Sequence, residues 1–311
     1  MAHTNDSKIY IAGHRGMVGS AIMRRLTSYG YDNLVMRTRQ ELDLLNQQAV
    51  FNFLQVEKPS FIFLAAAKVG GILANDTYRG QFIYENLTIQ ANIIHGAYLA
   101  GVKRLCFLGS SCIYPWDCPQ PIREEYLLTG PLEQTNEPYA TAKIAGIKLC
   151  ESYNRQYGCH FFSIMPTNLY GPKDNYDLAA SHVLPALIRK AHEAKQSGSQ
   201  KLLVWGSGQP RREFLYVDDL ADASVFLMLK GIEEGIYNIG TGTDITIREL
   251  AQTVMDVVGF HGMIVFDNSK PDGTPRKLLD VSKMKQLGWQ ASTPLRKGIE
   301  LAYADYCASL N

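Results

Sequence analysis

The 311 residues lack any run near the roughly 18 uninterrupted apolar positions that a membrane-spanning helix requires. They also lack an excess of one charge: 31 Lys and Arg stand against 30 Asp and Glu, for a net charge of +1. A nucleic-acid binder usually carries a basic surplus, so no nucleic-acid partner is expected. The six cysteines form no CxxC pair and no metal-ligand spacing, so no metal is expected. Several sit inside apolar patterns as buried free thiols do, which suits a reducing, cytoplasmic setting. The start, MAHTNDSKIY, has no basic region followed by an apolar run and does not read as a signal peptide. Internal repeats and low-complexity segments are absent as well.

What is present is a rhythm. Lys8–Ala12, Leu34–Arg37, Phe61–Ala65, Arg104–Gly109 and His160–Met165 are short and apolar on successive positions. That pattern fits strands of a parallel sheet covered on both faces. Between them lie helix-length stretches near Met17–Ser28, Gln47–Glu57, Phe82–Ala100 and Tyr139–Tyr157. Alternation of this kind predicts an α/β fold, a doubly wound parallel (Rossmann) sheet with right-handed crossovers. From about 176 the pattern loosens to a helix near His182–Lys195 followed by several short strands. We expect a nucleotide-binding domain over 1–175 and a smaller mixed α/β lobe over 176–311. The strand–helix segment Glu213–Lys230, within about 213–240, is expected to rejoin the first domain.

The first strand runs into Gly13-His14-Arg15-Gly16-Met17-Val18-Gly19 and then a helix. Glycines there allow a tight turn and close backbone approach to a pyrophosphate, which meets the free amides of the helix start. The spacing is GxxGxxG rather than GxGxxG. At the end of the second strand an NAD site places a carboxylate for the ribose hydroxyls. Here the chain reads Leu34-Val35-Met36-Arg37-Thr38-Arg39, with no acid before Glu41. Arg15 with Arg37 or Arg39 would clamp a 2′-phosphate instead, which favours NADP(H) as cofactor.

Asn136-Glu137-Pro138 opens a helix that carries Tyr139 and Lys143 on one face at spacing i, i+4. A free tyrosine titrates near 10. A lysine one turn away, with an oxidised nicotinamide nearby, is expected to favour the phenolate. Ser110 and Ser111 follow the strand Arg104–Gly109, so they fall at its carboxyl end, where ligands of such sheets bind. Asp218 and Asp219 read as a helix-initiating pair rather than as catalysts.

These residues resemble the extended short-chain dehydrogenase/reductases over essentially the whole chain. More narrowly, they resemble the epimerase/reductases that act on GDP-4-keto-6-deoxymannose. The likeness rests on GHRGMVGSAI (Gly13–Ile22), AAAKVGGI (Ala65–Ile72), LGSSCIYP (Leu108–Pro115), NEPYATAKIAGIKLCESYNRQYG (Asn136–Gly158), MPTNLYGP (Met165–Pro172), WGSG (Trp205–Gly208), REFLYVDD (Arg212–Asp219) and KPDGTPRKLLD (Lys270–Asp280). The resemblance implies a reductase triad of Ser110, Tyr139 and Lys143, and an epimerisation acid/base pair of Cys112 and His182. It further implies cofactor contacts from Leu108, Gly109, Ser110, Ser111, Lys143, Pro166, Thr167, Asn168, Leu169 and His182. Contacts to a GDP-sugar are implied for Lys190, Trp205, Arg212 and Asp272, and a homodimer through the two long helices. The family carries arginine at the place of Lys190. The implied activity inverts carbons 3 and 5 of a 4-keto sugar and reduces carbon 4, giving GDP-L-fucose.

The chemistry is coherent. A ketone at carbon 4 acidifies the hydrogens on carbons 3 and 5, and donors such as Ser110 and Tyr139 would stabilise the enolate. Inversion needs a base and an acid on opposite faces, and thiol and imidazole titrate near 8.5 and 6.5. Which of Cys112 and His182 is the base does not follow from sequence. Other readings stay open here: Cys112 as a small buried hydrophobe, His182 as a cap or core residue, Trp205 as core, and Arg212 as a surface cation. At the level of the whole chain, the alternatives are another sugar-nucleotide epimerase or dehydratase, or a non-catalytic NADP-binding regulator.

Overall fold

The computed structural model describes residues 6–178, 180–270 and 272–310. Residues 1–5, on which the reading of the amino terminus rests, lie outside these. Six parallel strands form the central sheet, in the order Leu34–Val35, Ile9–Ala12, Phe61–Leu64, Arg104–Leu108, His160–Pro166 and Gly235–Ile239. The chain builds outward from Ile9–Ala12 in one direction and then reverses to place Phe61–Leu64 on the other side. That reversal leaves a crevice at the carboxyl ends of these two strands, where ligands of open α/β sheets bind.

The apolar runs are continuous because both faces are covered. Tyr10, Ala12, Ile62, Leu64, Leu105, Phe107 and Phe161 enter one core, under the helices Gln47–Glu57, Arg79–Leu99 and Glu137–Tyr157. Their neighbours Ile9, Ile11, Phe61, Phe63, Cys106, Leu108 and Phe162 enter the other, under Met17–Ser28 and Val217–Leu229. Alternation with period 2 thus splits each strand between two cores. Fully burying one such side chain stabilises the fold by about 1.5–3 kcal/mol.

A third core belongs to the later lobe, where the helices Val183–Gln196, Ile247–Val258 and Leu295–Ser309 pack Leu187, Ile188, Leu250, Val254 and Ile299 together. Its strands are short. Lys201–Trp205 pairs with Met263–Asp267, and Arg211–Arg212 lies between Ile245–Thr246 and Arg276–Lys277.

Two expectations need correction. The second strand ends at Val35 rather than Arg37, because Arg37 turns aside to an ion pair with Glu57 at 2.7 Å. Within Glu213–Lys230, the strand Phe214–Tyr216 pairs with Asn168–Tyr170 in a separate ribbon. The sheet instead gains Gly235–Ile239, reached after the helix Val217–Leu229 has crossed over the sheet. Asp218 and Asp219 lie in the first turn of that helix, and Asp219 accepts bonds from the Ser292 hydroxyl and the Thr293 amide. The six cysteines are free. Among the described residues, no helix is long and apolar enough to cross a membrane, and no group of His, Cys, Asp or Glu is arranged to hold a metal ion.

Candidate active site

A cleft of about 1220 Å³ runs from the sheet's reversal point into the later lobe. Eight lysines and arginines line it against four carboxylates, in a chain that is otherwise balanced. Such a surplus favours anionic ligands.

Its floor is the glycine loop. Gly13 has φ +89°, and a Cβ there would lie 2.7 Å from the Ala66 amide, where the loops after the two reversal-point strands meet. A Cβ on Gly19 would lie 2.2 Å from the Gly13 carbonyl. A Cβ on Gly16 would meet nothing nearer than 3.6 Å. The first and third glycines are therefore packing requirements, while the second faces open space. Gly16 caps Met17–Ser28 without a side-chain bond, so the amides of the helix start remain available. His14 Nδ1 is buried without a partner among the described residues. A pyrophosphate fits this cradle. Farther along, Arg37 is committed to Glu57 and to the Met36 carbonyl. Arg15 and Arg39 are exposed on the cleft wall with no carboxylate at ion-pair distance among the described residues, so the structure separates the two arginines that the sequence left as alternatives.

The strand Arg104–Leu108 delivers the next group. Gly109 passes tightly over Met165, where a Cβ would fall 2.4 Å from the sulfur. Ser110 then starts a 3-10 turn over Ser111–Ile113 and accepts the Cys112 amide at 3.3 Å, with its hydroxyl also beside the Cys112 thiol. Opposite, Glu137–Tyr157 presents Tyr139 and Lys143. Lys143 is buried, and its ammonium donates to the Leu108 carbonyl at 2.7 Å. It stands 5.7 Å from the Tyr139 ring centroid. Burial pushes Lys143 down to about 8 and pushes the Tyr139 hydroxyl up. The lysine thus leans on the strand's last carbonyl one turn from the tyrosine, and burial is the main influence on both groups. A phenol kept protonated at neutral pH is what a proton donor to a ketone needs.

Cys112 is buried, and burial pushes its thiol up against the lowering influence of Lys277, Ser110 and Lys143. His182 is the N-cap residue of Val183–Gln196, yet its ring makes no capping bond. By surface area it is open to the cleft, but the surrounding walls crowd the imidazole. That crowding, with the Lys277 cation, pushes its pKa below the usual value. The readings of His182 as a cap or core residue therefore do not hold. In the later lobe Lys190 lies 4.9 Å from the Trp205 ring centroid. Trp205 is 56% exposed and so is not core. Arg212 is half-buried, which lowers its pKa, and among the described residues no carboxylate reaches ion-pair distance. Asp272 accepts the Ser207 amide at 2.9 Å and hydroxyl at 2.6 Å, closing the loop under the tryptophan.

All the residues singled out in the sequence line this one cleft, including Pro166, Thr167, Asn168 and Leu169 after the fifth strand. Missed were Lys68, Glu85, Asn136 and Lys277, which line it too. Lys277 sits inside the run Lys270–Asp280, whose density of charged and turn residues was the only signal that could have marked it.

The family described as NAD dependent epimerase/dehydratase matches residues 9–240. The GDP-L-fucose synthase of Escherichia coli (strain K12) is 56% identical over 308 residues, covering 96% of this chain and 96% of that protein. GDP-L-fucose synthase 1 of Arabidopsis thaliana is 58% identical over 303 residues, with 97% and 93% covered. Among solved structures, a GDP-mannoheptose C4 reductase from Campylobacter jejuni with NADP bound superposes with a TM-score of 0.89 at 43% identity, covering 98% of this chain and 99% of that one.

Proposed function

Because the chain belongs to the NAD dependent epimerase/dehydratase family, we propose that it converts GDP-4-keto-6-deoxymannose to GDP-L-fucose with consumption of NADPH. One observation carries this reading: Ser110, Tyr139 and Lys143 share a cleft with Cys112 and His182. A simple carbon-4 reductase has no need of the second pair.

The glycine loop and the helix start hold the dinucleotide's pyrophosphate, and Arg15 and Arg39 take its 2′-phosphate. Bound NADPH supplies the hydride. In the later lobe, Trp205, Lys190 and Asp272 flank the nucleotide, while Arg212 meets the diphosphate with charge-assisted bonds. The sugar then lies over Ser110 and Tyr139. Ser110 donates to the carbon-4 oxygen and stabilises the enolate that forms when a proton leaves carbon 3 or carbon 5. Cys112 and His182 take and return that proton on opposite faces. Tyr139, held protonated, finally gives its proton to the carbon-4 oxygen, and Lys143 anchors the reacting end through its bond to the Leu108 carbonyl. The helices Arg79–Leu99 and Glu137–Tyr157 leave Tyr84, Leu99 and Tyr157 exposed, which supports a homodimer through them. Six free thiols suit a reducing cytoplasm.

The test is the loss of NADPH absorbance with GDP-4-keto-6-deoxymannose. Oxidation is expected with NADPH, weakly with NADH, and Tyr139→Phe should lose about a hundredfold or more. Cys112→Ser should still bind NADPH but yield unepimerised product. A folded protein that binds NADPH and oxidises none of it with this substrate overturns the reading.

A further inference from the structure

Beside the reaction site lies a second, smaller cavity with about 50 Å³ of water-accessible space. One water needs about 10–15 Å³ on such a measure. Ser111, Cys112, Glu133, Asn136, Thr274 and Lys277 line both this cavity and the main cleft, so they form the wall between them. Two polar groups on that wall are unmet. Asn136 Oδ1 is buried without a partner among the described residues. The Lys277 ammonium makes no hydrogen bond or ion pair among them either. The Glu133 carboxylate is turned away to the amides of Thr135 and Asn136. Lys277 is nonetheless firmly placed. Its strand pairs it with Arg212, and two residues on, the Leu279 amide donates to the buried Glu213 carboxylate at 3.0 Å.

The proposed reaction sets a problem that this arrangement answers. Inverting one carbon leaves the base carrying a proton and the acid without one. The same pair cannot act on the second carbon until a proton has passed from the spent base to the spent acid, and the sugar lies between them. We propose that Lys277, with water in the side cavity, carries that proton between Cys112 and His182, resetting one acid/base pair for the second inversion.

This inference rests on the epimerase reading above. The balance closes without any change of oxidation state. The ammonium gives one N–H proton to the spent acid and becomes an amine. The amine then regains a proton from the spent base, directly or through one cavity water, and all three groups return to their starting states. The electrostatic surroundings support the exchange. Burial pushes Lys277 below the usual lysine range, and its charge bears on both Cys112 and His182. Arg212 lowers it further, while Cys112, Cys118 and Glu133 oppose that shift.

The experiment follows deuterium entering carbons 3 and 5 of GDP-4-keto-6-deoxymannose in heavy water by NMR, with NADP⁺ in place of NADPH. Wild-type protein should exchange both positions. Lys277→Met, with NADPH affinity and melting temperature as folding controls, should exchange the first carbon while slowing the second about a hundredfold more. Lys277→Arg keeps the cation but does not release a proton. It should therefore recover the pH profile of the first exchange, which Lys277→Met shifts upward, and still fail at the second. Equal slowing at both carbons, or wild-type exchange at both in Lys277→Met, overturns the relay alone. A wild-type protein that exchanges neither carbon removes the epimerase reading, and the relay with it.

Discussion

The two ends of the cleft are built in different ways. At the cofactor end the surface is mostly backbone: Gly13 at a strand end and Gly19 in the helix start are packed so closely that one added methyl group meets a main-chain atom. At the far end it is side chain: Trp205, Lys190, Arg212 and Asp272 stand on a helix, short strands and a loop, and remain partly open to solvent. The first end is rigid because the sheet sets its geometry. The second is adaptable because each group reaches in from a different element.

The sharpest way to break the comparison is Gly19→Ala. Its Cβ has no room against the Gly13 carbonyl, so the cradle must open. NADPH affinity should fall about a hundredfold, the loss of roughly 3 kcal/mol expected when charge-assisted amide bonds to phosphate are misplaced. Fluorescence titration with NADPH reads this directly, and near-wild-type affinity would show the packing to be softer than drawn. Arg212→Met should act more gently and at the other end. It should raise the KM for the GDP-sugar about thirtyfold, near 2 kcal/mol, while leaving NADPH affinity intact. A comparable loss of NADPH affinity would show that the two ends are not separable.

The smallest effect is a drift of stability with pH. Lys143 is buried at the cofactor end, with its pKa lowered to about 8 in the folded protein from 10.5. Between those values the unfolded chain binds more protons, so this group adds stability as pH rises from 8 to 10.5. The melting temperature of wild-type protein should therefore gain on that of Lys143→Met across this window. A constant difference would mean that burial does not lower the Lys143 pKa.

How much of this was legible can be seen in particular elements. Met17–Ser28 and Gln47–Glu57 begin and end where the sequence placed them: the first opens from the glycine loop without a side-chain cap, and the second is capped by Asn46, whose side chain accepts the Ala49 amide. The strand at Leu34 was overextended because the partner that draws Arg37 away, Glu57, lies twenty residues later. Phe214–Tyr216 looked like a strand of the main sheet because an apolar run does not name its neighbour. Lys277 was invisible as chemistry. Its meaning comes from pairing with Arg212 and from facing Cys112, residues far from it along the chain.

The sequence by itself determined the layered α/β fold, the phosphate loop, the preference for a 2′-phosphate and the residues gathered at the carboxyl ends of the strands. Each of these depends on periodicity, glycine freedom or charge within a short window. Only the tertiary structure decided which arginine is committed to Glu57, how burial acts on the tyrosine and which lysine lies beside Cys112. Those depend on burial and on contacts between distant segments, and the energy of a charge in a protein is set by what surrounds it.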